Sequence, residues 1–375
     1  MKVVTHLTTV HSAQDTRIYQ RFSKGISGDV DGIRIFHCGK SPAGNNENVD
    51  FIQVDKRRGR PGRMLLSSLK MLFYANKARS DVYHIHDPEI FWLSYFLPKK
   101  SVVVIDFHEN YAKKIHSKSW LPSYLKGFFL NLYIFVLNVF IPKRTKIIAA
   151  AESVLDGMPD KLKKRAVVIR NLPAWKMDDE FATDFGMSFK RGRSEGGLNI
   201  LYTGGLTEYR GVENVIKAVV LYGENNWSLT IIGKKSEATF KKVKDYLSDS
   251  RIDFRGQVSY RESMKLNADS DIGMVCNLPI YDYDKALPNK LFEYLSFGTP
   301  VVCSKFPIWE EIIVSNNVGE VCDPTKPESI AIAIKQLGSR VLNDATISSR
   351  CVDLIQNQYN WENEKVKLLK VYDVL

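Results

Sequence analysis

Cysteine is scarce in this chain: five in 375 residues, with no Cys-x-x-Cys pair. Cys38, Cys276, Cys303, Cys322 and Cys351 are scattered and odd in number, which argues against a disulfide framework or a zinc site and for reduced, cytosolic thiols. No His-x3-His or Glu-x2-His helical spacing occurs, so a helical metal site is not expected. Zinc-finger, basic-zipper and aromatic RNA-binding signatures are missing, which removes the usual routes to nucleic acid. Repeats and long low-complexity tracts are also lacking. Met1-Lys-Val-Val-Thr-His opens as a strand, so no secretory signal is expected. The longest apolar run, Gly127 to Ile141, falls short of the roughly 20 residues that span a bilayer, and Asn131 and Asn138 interrupt it. A buried core helix is the plainer expectation. The alternative is a helix lying in a membrane interface, flanked by Lys118, Lys126, Lys143 and Arg144.

What is present is positive charge. The formal net charge of +11 and pI near 9.2 favour polyanionic partners such as nucleotide phosphates or anionic lipid. Hydrophobic and charged fractions of 44% and 25% are those of a soluble globular protein, and the length favours two domains. Short apolar runs alternate with helical stretches throughout, the pattern of doubly wound α/β domains. Strands are expected at 2–7, 32–37, 51–54, 82–86, 102–107, 146–150 and 166–170, then at 199–202, 228–232, 252–255, 272–275, 300–304 and 319–321. Residues 1–172 form the first domain and 173–355 the second, with a linker and lead-in helix in 173–197. Residues 356–375 form a helix packing back on the first domain.

Parallel sheets bind ligands beyond the carboxyl ends of their strands, so the informative residues should follow strands. After the first strand, Asp15 and Arg17 could orient a sugar hydroxyl and pair with a phosphate, or serve as a helix cap and a surface cation. His86-Asp87-Pro88 and Asp106-Phe107-His108-Glu109 end two further strands. Arg57 to Arg63 is a basic loop, either solvated or attractive to lipid headgroups or a pyrophosphate-linked acceptor. In the second half, Tyr202-Thr-Gly-Gly-Leu leads through a glycine turn to Arg210-Gly211 and a helix. This turn is neither a Walker A loop nor a Gly-x-Gly-x-x-Gly fingerprint. Glycine turns near Gly233 and Gly256 to Tyr260, including Val258, could read a nucleobase. The most telling stretch is Leu287-Pro-Asn-Lys-Leu-Phe-Glu-Tyr-Leu-Ser-Phe-Gly-Thr-Pro-Val-Val. A polar turn opens a short helix whose start bears Asn289, Lys290 and Glu293. Unpaired N–H groups and partial positive charge at such a start suit a diphosphate, and Glu293 could hold a ribose diol. An ordinary capped helix would read the same way.

Taken in order, these segments resemble the family 4 retaining glycosyltransferases over nearly the whole chain. The likeness is strongest from Asn199 to Asp323, where Tyr-Thr-Gly-Gly-Leu…Arg-Gly, Ile-Ile-Gly, Phe-Arg-Gly-Gln-Val and Pro-Asn-Lys-Leu-Phe-Glu-Tyr-Leu-Ser-Phe-Gly-Thr-Pro-Val-Val follow one another. Asp-Thr-Arg-Ile and Ile-Asp-Phe-His-Glu resemble a bacterial branch that builds surface polysaccharides. The resemblance implies a GT-B architecture, two Rossmann-like doubly wound domains facing a central cleft. It implies that Glu293 matches the second glutamate of the family's Glu-x7-Glu motif and contacts the nucleotide ribose. The first glutamate falls on Lys285, a departure for which backbone amides around Leu287 to Asn289, with Leu291 beside them, could substitute. The family's phosphate clamp maps onto Gly204-Gly205…Arg210-Gly211. Its arginine position is Gly205, and Lys290 is the candidate replacement cation. His108 matches the histidine near the reacting centre, with Glu109 beside it, while Asp15 and Arg17 lie on the acceptor side.

The implied activity is retaining transfer of a sugar, a hexosyl group, from a nucleotide-diphosphate donor to a saccharide acceptor carried on a lipid. UDP-sugar is the first expectation and GDP-sugar the second. Capsule, O-antigen or exopolysaccharide synthesis is the implied setting, in the cytoplasm or at the cytoplasmic face of the inner membrane. No cofactor or metal is expected, because cations and helix dipoles would neutralise the leaving diphosphate. Two other readings stand: a sugar-nucleotide 2-epimerase of the same architecture, and a non-enzymatic binder of anionic ligands or membrane.

Overall fold

The computed structural model describes residues 2–12, 14–39, 48–55, 62, 66–116, 121–174, 197–280 and 283–375. The chain divides into two units, 1–174 with 361–375, and 175–360. Most of the expected basic loop 57–63, Lys118, and the linker and lead-in helix of 175–196 lie outside the described residues.

The first unit is built on seven parallel strands: β1 Val3–Thr8, β2 Gly32–His37, β3 Val49–Gln53, β4 Val82–Ile85, β5 Val102–Phe107, β6 Lys146–Ala149 and β7 Ala166–Val168, in the order β3-β2-β1-β4-β5-β6-β7. Strands buried on both faces read as continuous apolar runs, which is why these segments stand out in the sequence. One face packs Leu7, Tyr83, Ile105, Phe107 and Ile147. The other packs Val4, Ile33, Val82, Val104 and Ile148 against Trp361, Leu368 and Tyr372 from the carboxyl-terminal segment. The helix Trp361–Val371 is also held by polar contacts, including Arg170 N–H to Glu364 Oε2 at 2.9 Å and Lys2 Nζ to the Tyr372 carbonyl at 3.0 Å.

The second unit repeats the plan with six parallel strands: β8 Leu198–Thr203, β9 Trp227–Ile232, β10 Ile252–Gly256, β11 Ile272–Val275, β12 Val301–Ser304 and β13 Gly319–Cys322, ordered β10-β9-β8-β11-β12-β13. The chain therefore forms two Rossmann-like α/β domains. In each, the order reverses beside the first strand, β1 or β8, and ligands of such sheets bind beyond the carboxyl ends at that point. All five cysteines are buried and none forms a disulfide.

One expectation is corrected. The run at 127–141 belongs to a helix, Ser123–Phe140, that is not a core element: Leu137 is its one buried residue. Tyr124, Phe128, Phe129, Leu132, Phe135, Val136, Val139 and Phe140 are exposed. Apolar composition fixes that a helix seeks cover, but not what supplies it.

Candidate functional site

In the second unit the chemistry gathers where β8, β9 and β10 end. Gly204 follows β8 with φ +147°, and Gly233 follows β9 with φ +148°. The two turns touch: Gly204 N–H donates to the Ile232 carbonyl at 2.9 Å, and a Cβ on Gly233 would lie 1.8 Å from the Gly204 oxygen. Gly233 N–H in turn donates to Gly256 at 2.7 Å, and half-buried Val258 lies just beyond. Only glycine fits such positions. Gly205 is half-buried and continues the turn. Gly211, with φ +67°, ends the turn Glu208–Arg210 and lets it lie against the Cys276 carbonyl, which a Cβ would meet at 2.0 Å.

The helix Asn289–Ser296 is locked under this platform. Leu291, Phe292, Tyr294 and Leu295 are buried, so Asn289, Lys290 and Glu293 occupy its half-buried side. Tyr294 Oη lies 2.9 Å from Thr203 N and 3.0 Å from the Leu201 carbonyl, tying the helix to the end of β8. Its ring packs on Gly273 of β11, where a Cβ would come within 2.4 Å. Leu287 and Pro288 precede the helix start, also half-buried, whereas Lys285 is exposed.

These two constructions bring Arg210 and Lys290 together. A Cβ on Gly204 would stand 2.7 Å from Arg210 Nη1 and 3.7 Å from Lys290 Cε. Burial lowers the Lys290 pKa, Glu293 opposes that shift, and the Arg210 charge adds to it. Two cations held this close, partly desolvated and beside a helix N-terminus, create a site for a compact anion with several oxygens.

In the first unit the ends of β1, β4 and β5 carry a buried polar network around Asp106. Arg17 does not face a phosphate as expected. It is 5% exposed, and its guanidinium binds both Asp106 oxygens at 2.8 Å and the Ile169 carbonyl at 2.8 Å. A carboxylate in the middle of an apolar strand requires a buried cation, and Arg17 supplies it. Asp15 caps the segment Thr16–Arg21, accepting from Arg17 N–H at 2.9 Å and Ile18 N–H at 3.1 Å. Burial would raise the Asp106 pKa, but the Arg17 charge and the His108 contact bring it well below the usual carboxylate range. His108 follows β5 with Nε2 2.9 Å from Asp106 Oδ2, and remains partly exposed. Glu109 is exposed and pairs with Lys114 instead. Asp87, with its pKa lowered, accepts from Thr8 Oγ1 at 2.8 Å, Thr9 N at 2.6 Å and Val10 N at 3.1 Å, and so shapes the loop after β1.

Sequence reasoning passed over His6, Asp106 and Tyr294. His6 and His84 are register partners on β1 and β4, yet lie 78 residues apart. A charge inside the Val102–Phe107 run was the available signal for Asp106. Within this network, ligand atoms of His6, His84 and His86, and of His86, Asp106 and His108, lie within 4.8 Å of one another. Both ring nitrogens of His6 and of His86 are already engaged by protein groups, so the donor set is that of a hydrogen-bond network.

Comparison with known proteins bears on the family and the fold. The family model described as glycosyl transferases group 1 matches residues 186–361. An uncharacterized glycosyltransferase of Methanocaldococcus jannaschii is 25% identical over 237 residues, covering 59% of this chain and 56% of that protein. A second from the same organism is 22% identical over 183 residues, 48% of this chain and 45% of the relative. The chain thus spans about half the length of the curated relatives it matches. Among solved structures, a glycosyltransferase from Rickettsia africae ESF-5 superposes with a TM-score of 0.73 at 14% identity, covering 99% of this chain and 98% of that one. HepE of Anabaena, solved with UDP and glucose, gives 0.71 at 12% identity over 100% of both chains. WaaG, a glycosyltransferase of lipopolysaccharide biosynthesis, gives 0.68 at 14%, covering 98% and 99%. Residues 186–361 are thus similar to the glycosyl transferases group 1 model, within a chain whose two domains share the fold of these glycosyltransferases.

Proposed function

We propose that the chain is a retaining glycosyltransferase that moves a hexosyl group from a nucleotide-diphosphate sugar to a saccharide acceptor. The observation that carries this reading is the meeting of Arg210 and Lys290 over Gly204, beside the start of the helix Asn289–Ser296. Departure of a nucleoside diphosphate develops negative charge, and preorganised cations and N–H groups stabilise it without a metal ion. Glu293, on the same side of the helix, accepts from the ribose diol. Amides near Gly233 and Val258 contact the base, and Leu287 to Leu291 line the sugar end. His108 orients the donor sugar at the reacting carbon. UDP-sugar is the first donor to test, since HepE is solved with UDP and UDP-glucose.

The acceptor is a lipid-diphosphate-linked oligosaccharide, and the chain works at the cytoplasmic face of a membrane in surface-polysaccharide synthesis. Support comes from the exposed aromatic side of the helix Ser123–Phe140, which contains no acidic residue and has Lys126 within it and Lys143 beyond its end. A thermal-shift panel of UDP-, GDP- and other nucleotide sugars tests the donor. Ligand at a hundredfold excess over Kd stabilises by about 2.7 kcal/mol. No shift with any nucleotide diphosphate would remove the proposal.

A further inference from the structure

An open pocket of about 350 Å³, the size of a small-molecule site, lies between the starts of β6 and β7 and the helix Trp361–Val371. It belongs wholly to the first unit. Lys146 opens β6 and Arg165 directly precedes β7, so the pocket sits at the amino ends of these parallel strands. His108 follows the carboxyl end of β5, at the opposite edge of the same sheet. The pocket is therefore separate from the network around Asp106.

Ile147, Val167 and Val371 form its apolar part, and Lys146, Arg165, Lys367 and Lys370 supply four cations. Two of those charges are met by carboxylates: Lys146 pairs with Asp373 at 2.5 Å, and Lys367 with buried Glu364 at 2.7 Å. The other two are not. Lys370 makes no ion pair or hydrogen bond with a described residue. Arg165 spends Nη2 on the carbonyls of Pro142 and Thr145, while its Nη1 is buried without a hydrogen-bond partner. Neutral carbonyls orient the guanidinium but bring no compensating charge. Burial lowers the Arg165 pKa, as it does for a cation without a counter-ion. Lys367 and Lys370 stand about one turn apart on one helix, where like charges repel. A fold that keeps a buried donor unpaired beside repelling cations is stabilised when an anion accepts there.

We propose that this pocket binds a phosphate monoester, its oxygens between Arg165 and Lys370 and its carbon substituent on Ile147, Val167 and Val371. The two uncompensated charges match a dianion. The cations converge from two strand starts and a helix, directions that a tetrahedral phosphoryl group meets and a planar carboxylate does not. Val167, 37% exposed, leaves apolar area that a carbon group covers and a free phosphate does not. The site stands apart from the nucleotide-sugar reading, since Arg210 and Lys290 belong to the second unit. A soluble sugar or alkyl phosphate and the headgroup of phosphatidic acid share this chemistry. The lipid is a source to test because the Pro142 carbonyl that holds Arg165 directly follows the run carrying the exposed aromatic helix Ser123–Phe140.

Phenyl phosphate is the soluble probe. The Val167 methyl signals of valine-labelled protein, assigned by Val167→Ile, report on the pocket. They should move on titration in the parent and in Arg210→Ala, and stay in place in Lys370→Glu. Lys370→Met, which removes the charge without reversing it, should weaken binding about tenfold, and inorganic phosphate should bind the parent about tenfold more weakly than the ester. Because Lys370→Glu supplies the missing counter-ion, its melting temperature should equal or exceed the parent's. Val167 signals that ignore phenyl phosphate, that move equally in Lys370→Glu and Lys370→Met, or that stay still in Arg210→Ala would overturn the proposal. So would inorganic phosphate binding as tightly as the ester. Vesicles of phosphatidylcholine with about a third phosphatidic acid then distinguish the source. Lys99→Glu is the control, the same charge change before β5 and outside the pocket. Sedimentation lost in Lys370→Glu beyond the loss in Lys99→Glu identifies the lipid headgroup, and equal sedimentation of the two variants identifies a soluble ester.

Discussion

The hydroxyl of Tyr294 reaches 3.1 Å from Thr203 Oγ1 and 2.9 Å from Thr203 N, joining a helix start to the end of the neighbouring strand. This buried contact fixes where Asn289 and Lys290 stand relative to Gly204. Burial pushes the Tyr294 pKa up, as it does for any core phenol, so the group acts as a neutral clamp.

Tyr294→Phe leaves the backbone groups of Leu201 and Thr203 with one partner fewer, at a cost of about 1 to 3 kcal/mol in folding stability. Because the helix start is then less firmly placed, UDP affinity should fall more than an equally destabilising core change would produce. Urea unfolding and calorimetric titration give the two numbers, and equal UDP affinity in mutant and parent would contradict the positional role. Gly233→Ala tests the adjoining turn, with loss of UDP binding expected, since its Cβ would collide with Gly204. Gly28→Ala, where a Cβ meets nothing within 4 Å, is the neutral control.

Arg210→Ala and Lys290→Ala should each weaken diphosphate binding by about 1.5 to 3 kcal/mol, as lost charge-assisted bonds do. Their effects should not add, because each cation raises the cost of charging the other. The pH dependence has a definite sign. Lys290 has a lowered folded pKa, so its part of the affinity is present below that pKa and lost as pH rises through it, before an ordinary lysine at 10.5 would titrate. In Arg210→Ala that midpoint should move upward. Calorimetry with UDP across pH 7 to 10 provides the profile, and an unmoved midpoint would separate the two residues.

Parallel, doubly buried strands made the thirteen-strand plan legible, because each reads as a short apolar run ending near a glycine or polar turn. The glycine turns at Gly204 and Gly233 were legible for a related reason: they follow β8 and β9 directly. The histidine network was not, since His6, His84 and Asp106 meet only through the β1-β4-β5 adjacency, across 100 residues of chain. Arg17 read as a phosphate partner or a surface cation because its actual partner, Asp106, is 89 residues away. The helix Ser123–Phe140 failed in the opposite sense, since composition alone resembles a core helix.

Breaking the Arg17–Asp106 pair should be costly. Arg17→Ala leaves a buried carboxylate unpaired and should lose about 3 to 5 kcal/mol, whereas a pair exposed on the surface would lose under about 1. Asp106 has a depressed folded pKa, so its contribution is complete above the unfolded value of about 3.9 and lost as pH falls toward the folded one. Stability measured by urea from pH 6 to 3 should therefore decline more steeply in the parent than in Arg17→Ala, and parallel curves would refute the assignment.

The exposed aromatic helix gives the last prediction. Burying a phenylalanine fully is worth about 1.5 to 3 kcal/mol, so removing Phe128 and Phe135, 61% and 60% exposed, should reduce partition onto a membrane by about tenfold or more per ring. Neither ring supports the core, so Phe128→Ser with Phe135→Ser should leave the melting temperature within about a degree or two of the parent. A second copy of the chain is the rival occupant of this face. It would place Lys126 and Lys143 opposite further lysines with no acidic partner on the helix, whereas anionic headgroups neutralise them. Co-sedimentation with vesicles containing about a third phosphatidylglycerol should pull down the parent, less of the double variant, and little of either from neutral vesicles at high salt. Equal sedimentation of parent and variant, or a concentration-dependent dimer that the variant abolishes, would remove the membrane from this face.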